Sequence, residues 1–137
     1  MSFRYQSTIH FGDTDASGRI FYATLFRHLD AAEHAFLRAI GLRAERPGEN
    51  DWSLPRVHAE ADFFIPLTYD DDVEIEVRVD RLGTTSYTLG FTVRRDGLTA
   101  ATAQIVIVMI SRATGRPIPI PPAFLEQLAP HAAETVA

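Results

Sequence analysis

Polar and apolar residues alternate strictly over residues 3–11. Phe3, Tyr5, Ser7, Ile9 and Phe11 fall on one face, with Arg4, Gln6, Thr8 and His10 opposite. A period of two predicts a strand with one buried face. Over residues 22–40 the period lengthens. Tyr22, Leu25, Phe26, Leu29, Ala32, Phe36 and Ile40 recur at three- and four-residue steps, while Arg27, Asp30, Glu33, His34 and Arg38 take much of the other side. That pattern predicts a helix of about five turns, closed by Gly41 as a C-terminal cap. Four more strands are expected at 54–64, 72–82, 84–95 and 98–111, separated by turns at 66–71, at Gly83 and at Asp96-Gly97. Asp-Gly between alternating segments is a strong hairpin signal. The apolar run 105–110 fits a central strand covered on one face and near an interface on the other. Pro117, Pro119, Pro121 and Pro122 end strand geometry, a short helix is expected at 123–128, and the last residues are expected to fray. Segments 12–19 and 43–52 read as loops, the second mobile and carrying Trp52. Strand, long helix and a four-stranded meander make one α+β domain over residues 1–137, with the sheet wrapped around the helix.

Composition narrows the chemistry. The 137 residues suffice for one core, and 46% apolar with 23% charged residues is ordinary for a globular chain. A net charge of −5 disfavours a nucleic-acid surface. All 13 basic residues are arginine, so lysine Schiff bases and a P-loop lysine are excluded. Without cysteine there is no thiol nucleophile, disulfide or thiolate-bound metal. Residues 1–10 lack the apolar run of a signal peptide or membrane span, so no membrane partner and a cytoplasmic location are expected. His10, His28, His34, His58 and His131 do not show metal-site spacing with a carboxylate on the same face. His34 with Asp30 and Arg38 reads as a polar network, and Asp70 to Asp72 as a solvated turn rather than a calcium site.

The segment Phe11-Gly12-Asp13-Thr14-Asp15-Ala16-Ser17-Gly18-Arg19-Ile20-Phe21-Tyr22 carries the candidate chemistry. It sets two carboxylates and a turn directly before the helix, beside unpaired backbone N–H groups, an arrangement suited to attack on a carbonyl. Asp13 reads as an Asx-turn that shapes the loop. Asp15 either caps a turn or does chemistry. Gly18 supplies an unusual backbone angle or lets substrate approach closely. Phe21 and Tyr22 line a pocket, begin the helix core, or both.

That block, with Phe64-Ile65-Pro66-Leu67, Asp71-Asp72-Val73, Thr84-Thr85-Ser86-Tyr87 and Arg116-Pro117-Ile118-Pro119-Ile120-Pro121 following in order, resembles the hotdog-fold acyl-CoA thioesterases of the 4-hydroxybenzoyl-CoA thioesterase type. The resemblance covers residues 3–128. It implies a five-stranded antiparallel sheet around one long central helix, and hydrolysis of an acyl-CoA to a free acid and CoA. CoA is then part of the substrate, and no cofactor is implied. Asp15 takes the catalytic position, as nucleophile through a mixed anhydride or as general base for water. The Tyr22 backbone N–H would polarise the thioester carbonyl. Ala23 and Thr24 stand where some relatives carry histidine and asparagine, which excludes a histidine-assisted step at 23. Phe21, Tyr22 and Ala23 look closer to the 1,4-dihydroxy-2-naphthoyl-CoA branch. Gly18, Phe21 and Ala23 would contact substrate. A basic pair for the CoA phosphates is missing at Gly83 and Thr84, leaving Arg81, Arg94, Arg95 and Arg112 as substitutes. The resemblance also implies a homo-oligomer, a dimer of dimers with its site at an interface. Two other readings stand beside hydrolysis. A hydratase or dehydratase on this fold uses a histidine in a different loop, which the chain lacks. A non-catalytic acyl-CoA-binding module would bind without releasing thiol.

Overall fold

A computed structural model describes residues 2–42, 46 and 48–132. Strand β1 (Phe3–Thr8) leads through a 3-10 turn at Phe11–Asp13 and a hairpin-like loop to a second 3-10 turn at Tyr22–Thr24, which runs into helix α1 (Leu25–Ala39). Then come β2 (Trp52–Ser53), β3 (Arg56–Phe63), β4 (Asp72–Leu82), β5 (Ser86–Arg95), β6 (Leu98–Val108), β7 (Ile110–Ser111) and α2 (Pro122–Leu128).

Five strands form one antiparallel sheet in the order β1-β4-β5-β6-β3, and β2 pairs with β7 beside it. This is the hotdog arrangement, with α1 against the inner face. Leu25, Leu29, Ala32 and Phe36 of α1 share a core with Ile75, Val77, Val79, Leu89, Phe91, Val93 and Ile107. Each of the larger side chains, the valines, leucines, isoleucines and phenylalanines, contributes about 1.5–3 kcal/mol of burial free energy. The expected helix cap is present. Gly41 has φ +85°, Leu42 N–H donates to the Leu37 carbonyl at 2.8 Å, and Gly41 N–H to that of Arg38 at 3.2 Å. Asp96 and Gly97 both have positive φ, the two-residue hairpin turn whose twist matches its strands.

Several expectations need correction. The post-helix strands are not one meander. Only β4, β5 and β6 follow one another; β3 crosses to the far edge and pairs with β6. Strand β1 ends at Thr8, and Phe11, in the 3-10 turn, is 75% exposed against Tyr69. The helical stripe starts at Leu25. The tighter winding of Tyr22–Thr24 changes the phase and turns Tyr22 outward. Glu33, placed on the solvated side by its charge, is 1% exposed. It is buried because Arg56 of β3 reaches in to pair with it while donating to the Leu54 carbonyl. Burial pushes the Glu33 carboxyl up, and Arg56 only partly offsets this. Trp52 forms a short strand, its ring 6.2 Å from that of Phe124. The expected mobile loop 43–52 lies partly outside the described residues, as do the last five, which were expected to fray.

Candidate active site

Asp13 anchors the loop. It is 6% exposed, and its carboxylate accepts from the His10 N–H and pairs with His28 Nε2, both at 2.8 Å. His28, 8% exposed in the first turn of α1, contacts Ser7 Oγ through Nδ1 at 2.7 Å. Both ring nitrogens are thereby engaged. Burial alone would raise the Asp13 pKa; the His10 N–H, His28 and Arg27 outweigh it and hold the carboxyl below the usual aspartate range. The Asp13 carbonyl accepts from Phe21 N–H at 2.8 Å and from the Thr24 hydroxyl at 2.7 Å. One residue therefore ties β1, α1 and the helix entry together.

Beyond Asp13 the chain makes a tight hairpin. Asp15 N–H donates to the Arg19 carbonyl at 2.9 Å, Gly18 N–H to the Asp15 carbonyl at 3.0 Å, and Gly18 takes φ +81°. Asp15 is exposed at this tip. Its Oδ1 accepts from the Ser17 N–H at 2.8 Å and the Ser17 hydroxyl at 2.5 Å. Its Oδ2 has no partner among the described residues. The two Ser17 contacts, with a smaller contribution from Arg19, lower its pKa, so the group is a carboxylate at neutral pH with one oxygen free.

The helix entry supplies the complementary charge. Phe21 N–H is taken by the Asp13 carbonyl and Thr24 N–H by that of Phe21, while the Tyr22 N–H has no acceptor among the described residues. It is an open donor at the positive end of the helix. Beside it runs a groove of about 300 Å³ lined by Arg19, Ile20, Tyr22 and residues 63–67. Ile20 N–H donates to the Leu67 carbonyl at 2.7 Å, which fixes the two walls together. Phe21, half exposed, sets its ring edge-on to Tyr22 with centroids 5.0 Å apart.

Of the expected site residues, Tyr22 lines this groove; Asp15 and Gly18 lie on the hairpin that precedes it, and Phe21 and Ala23 flank Tyr22 at the helix entry. Arg81 and Arg94 are not brought there within one chain. Arg81 lies near the far end of β4, about 30 Å from Asp72 at roughly 3.3 Å per residue. Arg94 is held by Glu76 at 2.7 Å and Glu74 at 3.9 Å. Arg95 braces the 66–71 turn through the Pro66 carbonyl and Asp71, and Arg112 donates to the Trp52 carbonyl. Sequence reading passed over Ser17, Arg19 and His28. The Asp-x-Ser spacing was the available signal for Ser17; nothing local marked His28. Among the described residues no three metal-binding side chains converge, and no helix is long and apolar enough to cross a membrane.

Residues 9–128 match the family model described as thioesterase-like superfamily. A 1,4-dihydroxy-2-naphthoyl-CoA hydrolase of Synechococcus elongatus is 31% identical over 121 residues, covering 87% of this chain and 89% of that one. Among solved structures, a 4-hydroxybenzoyl-CoA thioesterase aspartate-to-asparagine variant, complexed with 4-hydroxybenzoyl-CoA, superposes with TM-score 0.83 at 26% identity, over 93% of this chain and 98% of that one. A gentisyl-CoA thioesterase gives TM-score 0.83 at 27% identity, covering 92% and 99%.

Proposed function

The chain belongs to the thioesterase-like superfamily and is a CoA-thioester hydrolase; on that premise we propose that Asp15 and the Tyr22 backbone N–H cleave an aromatic acyl-CoA between them. Two observations support this: a carboxylate with one free oxygen on the hairpin, and, seven residues on in the same loop, an unpartnered amide at the helix entry. The thioester carbonyl oxygen accepts from the Tyr22 N–H, and the helix end stabilises the charge that develops there. Asp15 Oδ2 then either attacks the carbonyl carbon, expelling the CoA thiolate and leaving an anhydride for water to open, or takes a proton from an attacking water. Ser17 holds Oδ1 in both routes and lowers the carboxylate's basicity. The aromatic acyl group is supported by the rim of Phe21, Tyr22, Phe63 and Phe64 and by the aromatic CoA substrates in the relatives' names.

We also propose that the working unit is a homo-oligomer built along β3. This edge strand is exposed over nearly its whole length and pairs only on its β6 side among the described residues. Val57, Phe63 and Phe64 are 59%, 44% and 61% exposed there. A second copy covers this edge and closes the groove over Asp15, and a dimer of dimers follows from the family resemblance.

Thiol release from 1,4-dihydroxy-2-naphthoyl-, benzoyl- and short aliphatic acyl-CoA tests the reaction. Release from the aromatic thioesters, lost in Asp15→Asn, is expected. Tight binding with no release by the unmodified protein would reject it.

A further inference from the structure

Arg19 is the charged member of the groove wall, in a surface otherwise built from Ile20, Tyr22 and residues 63–67. Several arginines are committed to carboxylates. Arg4, Arg56, Arg78, Arg94 and Arg95 each hold a carboxylate within 3.1 Å. The Arg19 guanidinium has no ion-pair partner within 4 Å among the described residues. Its backbone is nevertheless fixed. Its carbonyl accepts from Asp15 N–H, its N–H donates to Ser17 Oγ at 3.3 Å, and its backbone bridges to Thr68, the residue after the opposite wall. A cation is thus projected from a rigid hairpin at the edge of an aromatic groove, four residues from Asp15.

Resting on the thioesterase reading above, we propose that Arg19 is a specificity residue that selects acyl groups bearing an anionic oxygen, a ring carboxylate or ionised phenol. Position decides which part of the substrate it meets. With the carbonyl on the Tyr22 amide, the acyl ring occupies the groove that Arg19 and Tyr22 share. The phosphates of CoA are removed from the sulfur by the whole pantetheine arm. A guanidinium in an apolar surround holds a carboxylate by two parallel hydrogen bonds, more strongly than in open water.

The test compares benzoyl-CoA with 2-, 3- and 4-carboxybenzoyl-CoA, and repeats each pair as the pantetheine thioester, which has no phosphates. The unmodified protein is expected to show a higher kcat/KM for at least one carboxylated ring than for benzoyl. In Arg19→Gln that ratio falls by at least about tenfold, the size of one charged hydrogen bond, and Arg19→Lys restores part of it. The fall persists in the pantetheine series. A ratio unchanged in Arg19→Gln overturns the proposal. So does an equal loss on all CoA thioesters that disappears with pantetheine, which would assign Arg19 to the phosphates. An equal loss in both series would assign it to Asp15 and also overturn it. Thiol release with an unaltered ratio leaves the hydrolase reading standing, whereas no release from any thioester removes both.

Discussion

At the level of single residues, the two carboxylates of the loop have opposite surroundings. Asp13 is buried and fully engaged, while Asp15 is exposed with one oxygen free. Ser17 lowers the Asp15 pKa, so with Asp15 as the proposed reacting group the acid limb of kcat/KM is expected below the ordinary aspartate value near 3.9. Ser17→Ala removes the hydroxyl contact and keeps the N–H contact. Its acid limb is expected to move upward, as pH–rate profiles of the two proteins will show; an unmoved limb would remove Ser17 from the site. His28→Phe leaves a buried Asp13 carboxylate short of a partner, which costs about 1–3 kcal/mol and frees the loop that sets the Tyr22 amide. Turnover is expected to fall more than melting temperature alone accounts for, with His28→Gln recovering part. Equal turnover at a temperature where both proteins are folded would limit His28 to stability. The sequence marked Asp13, Asp15 and Gly18 because loop chemistry is local. It did not mark His28, whose role depends on β1 and α1 meeting across 21 residues of chain.

At the scale of elements, local signals were legible and long-range ones were not. The Asp96-Gly97 hairpin, the Gly41 cap and the amphipathic helix each follow from a few adjacent residues. The placement of β3 beside β6 does not, because alternation says which face is buried but not which neighbour is paired. For the same reason Glu33 read as a surface residue; its burial needs Arg56 from an edge strand 23 positions away. Phe36 is fully buried in α1, and Phe36→Ala is expected to cost about 3–5 kcal/mol. Chemical denaturation will measure this, and a loss under 1 kcal/mol would contradict the packing of the helix on the sheet. Along β3, Val57→Arg places a charge on the exposed, proposed contact edge. Light scattering is expected to show a smaller particle with reduced turnover; an unchanged assembly would move the interface elsewhere.

For the whole molecule, the charge pattern fixes how stability follows pH. Asp13, Asp71 and Glu76 have pKa values held below their usual range. For Asp13 and Asp71 burial opposes the shift, but hydrogen bonds and cations prevail. For Glu76 the Arg94 contact leads. Groups with depressed pKa stabilise the fold above their unfolded values and lose that contribution as pH falls through the folded ones. Glu33, raised by burial, works in the opposite sense and loses its contribution as pH rises. Asp15 is lowered as well, so with four lowered carboxyls against one raised, stability is expected to decline below about pH 4, as thermal melts across pH 2–6 will show; a flat profile would contradict these assignments.

In the proposed reaction the carboxylate at the hairpin tip acts on a carbonyl held by the Tyr22 amide. Asp15→Asn keeps the shape and removes the charge. Measured by single-turnover thiol release from an aromatic acyl-CoA, with binding followed by calorimetry, the variant is expected to bind substrate comparably and to react about 100-fold or more slowly. A variant that binds and turns over at the unmodified rate would contradict the account.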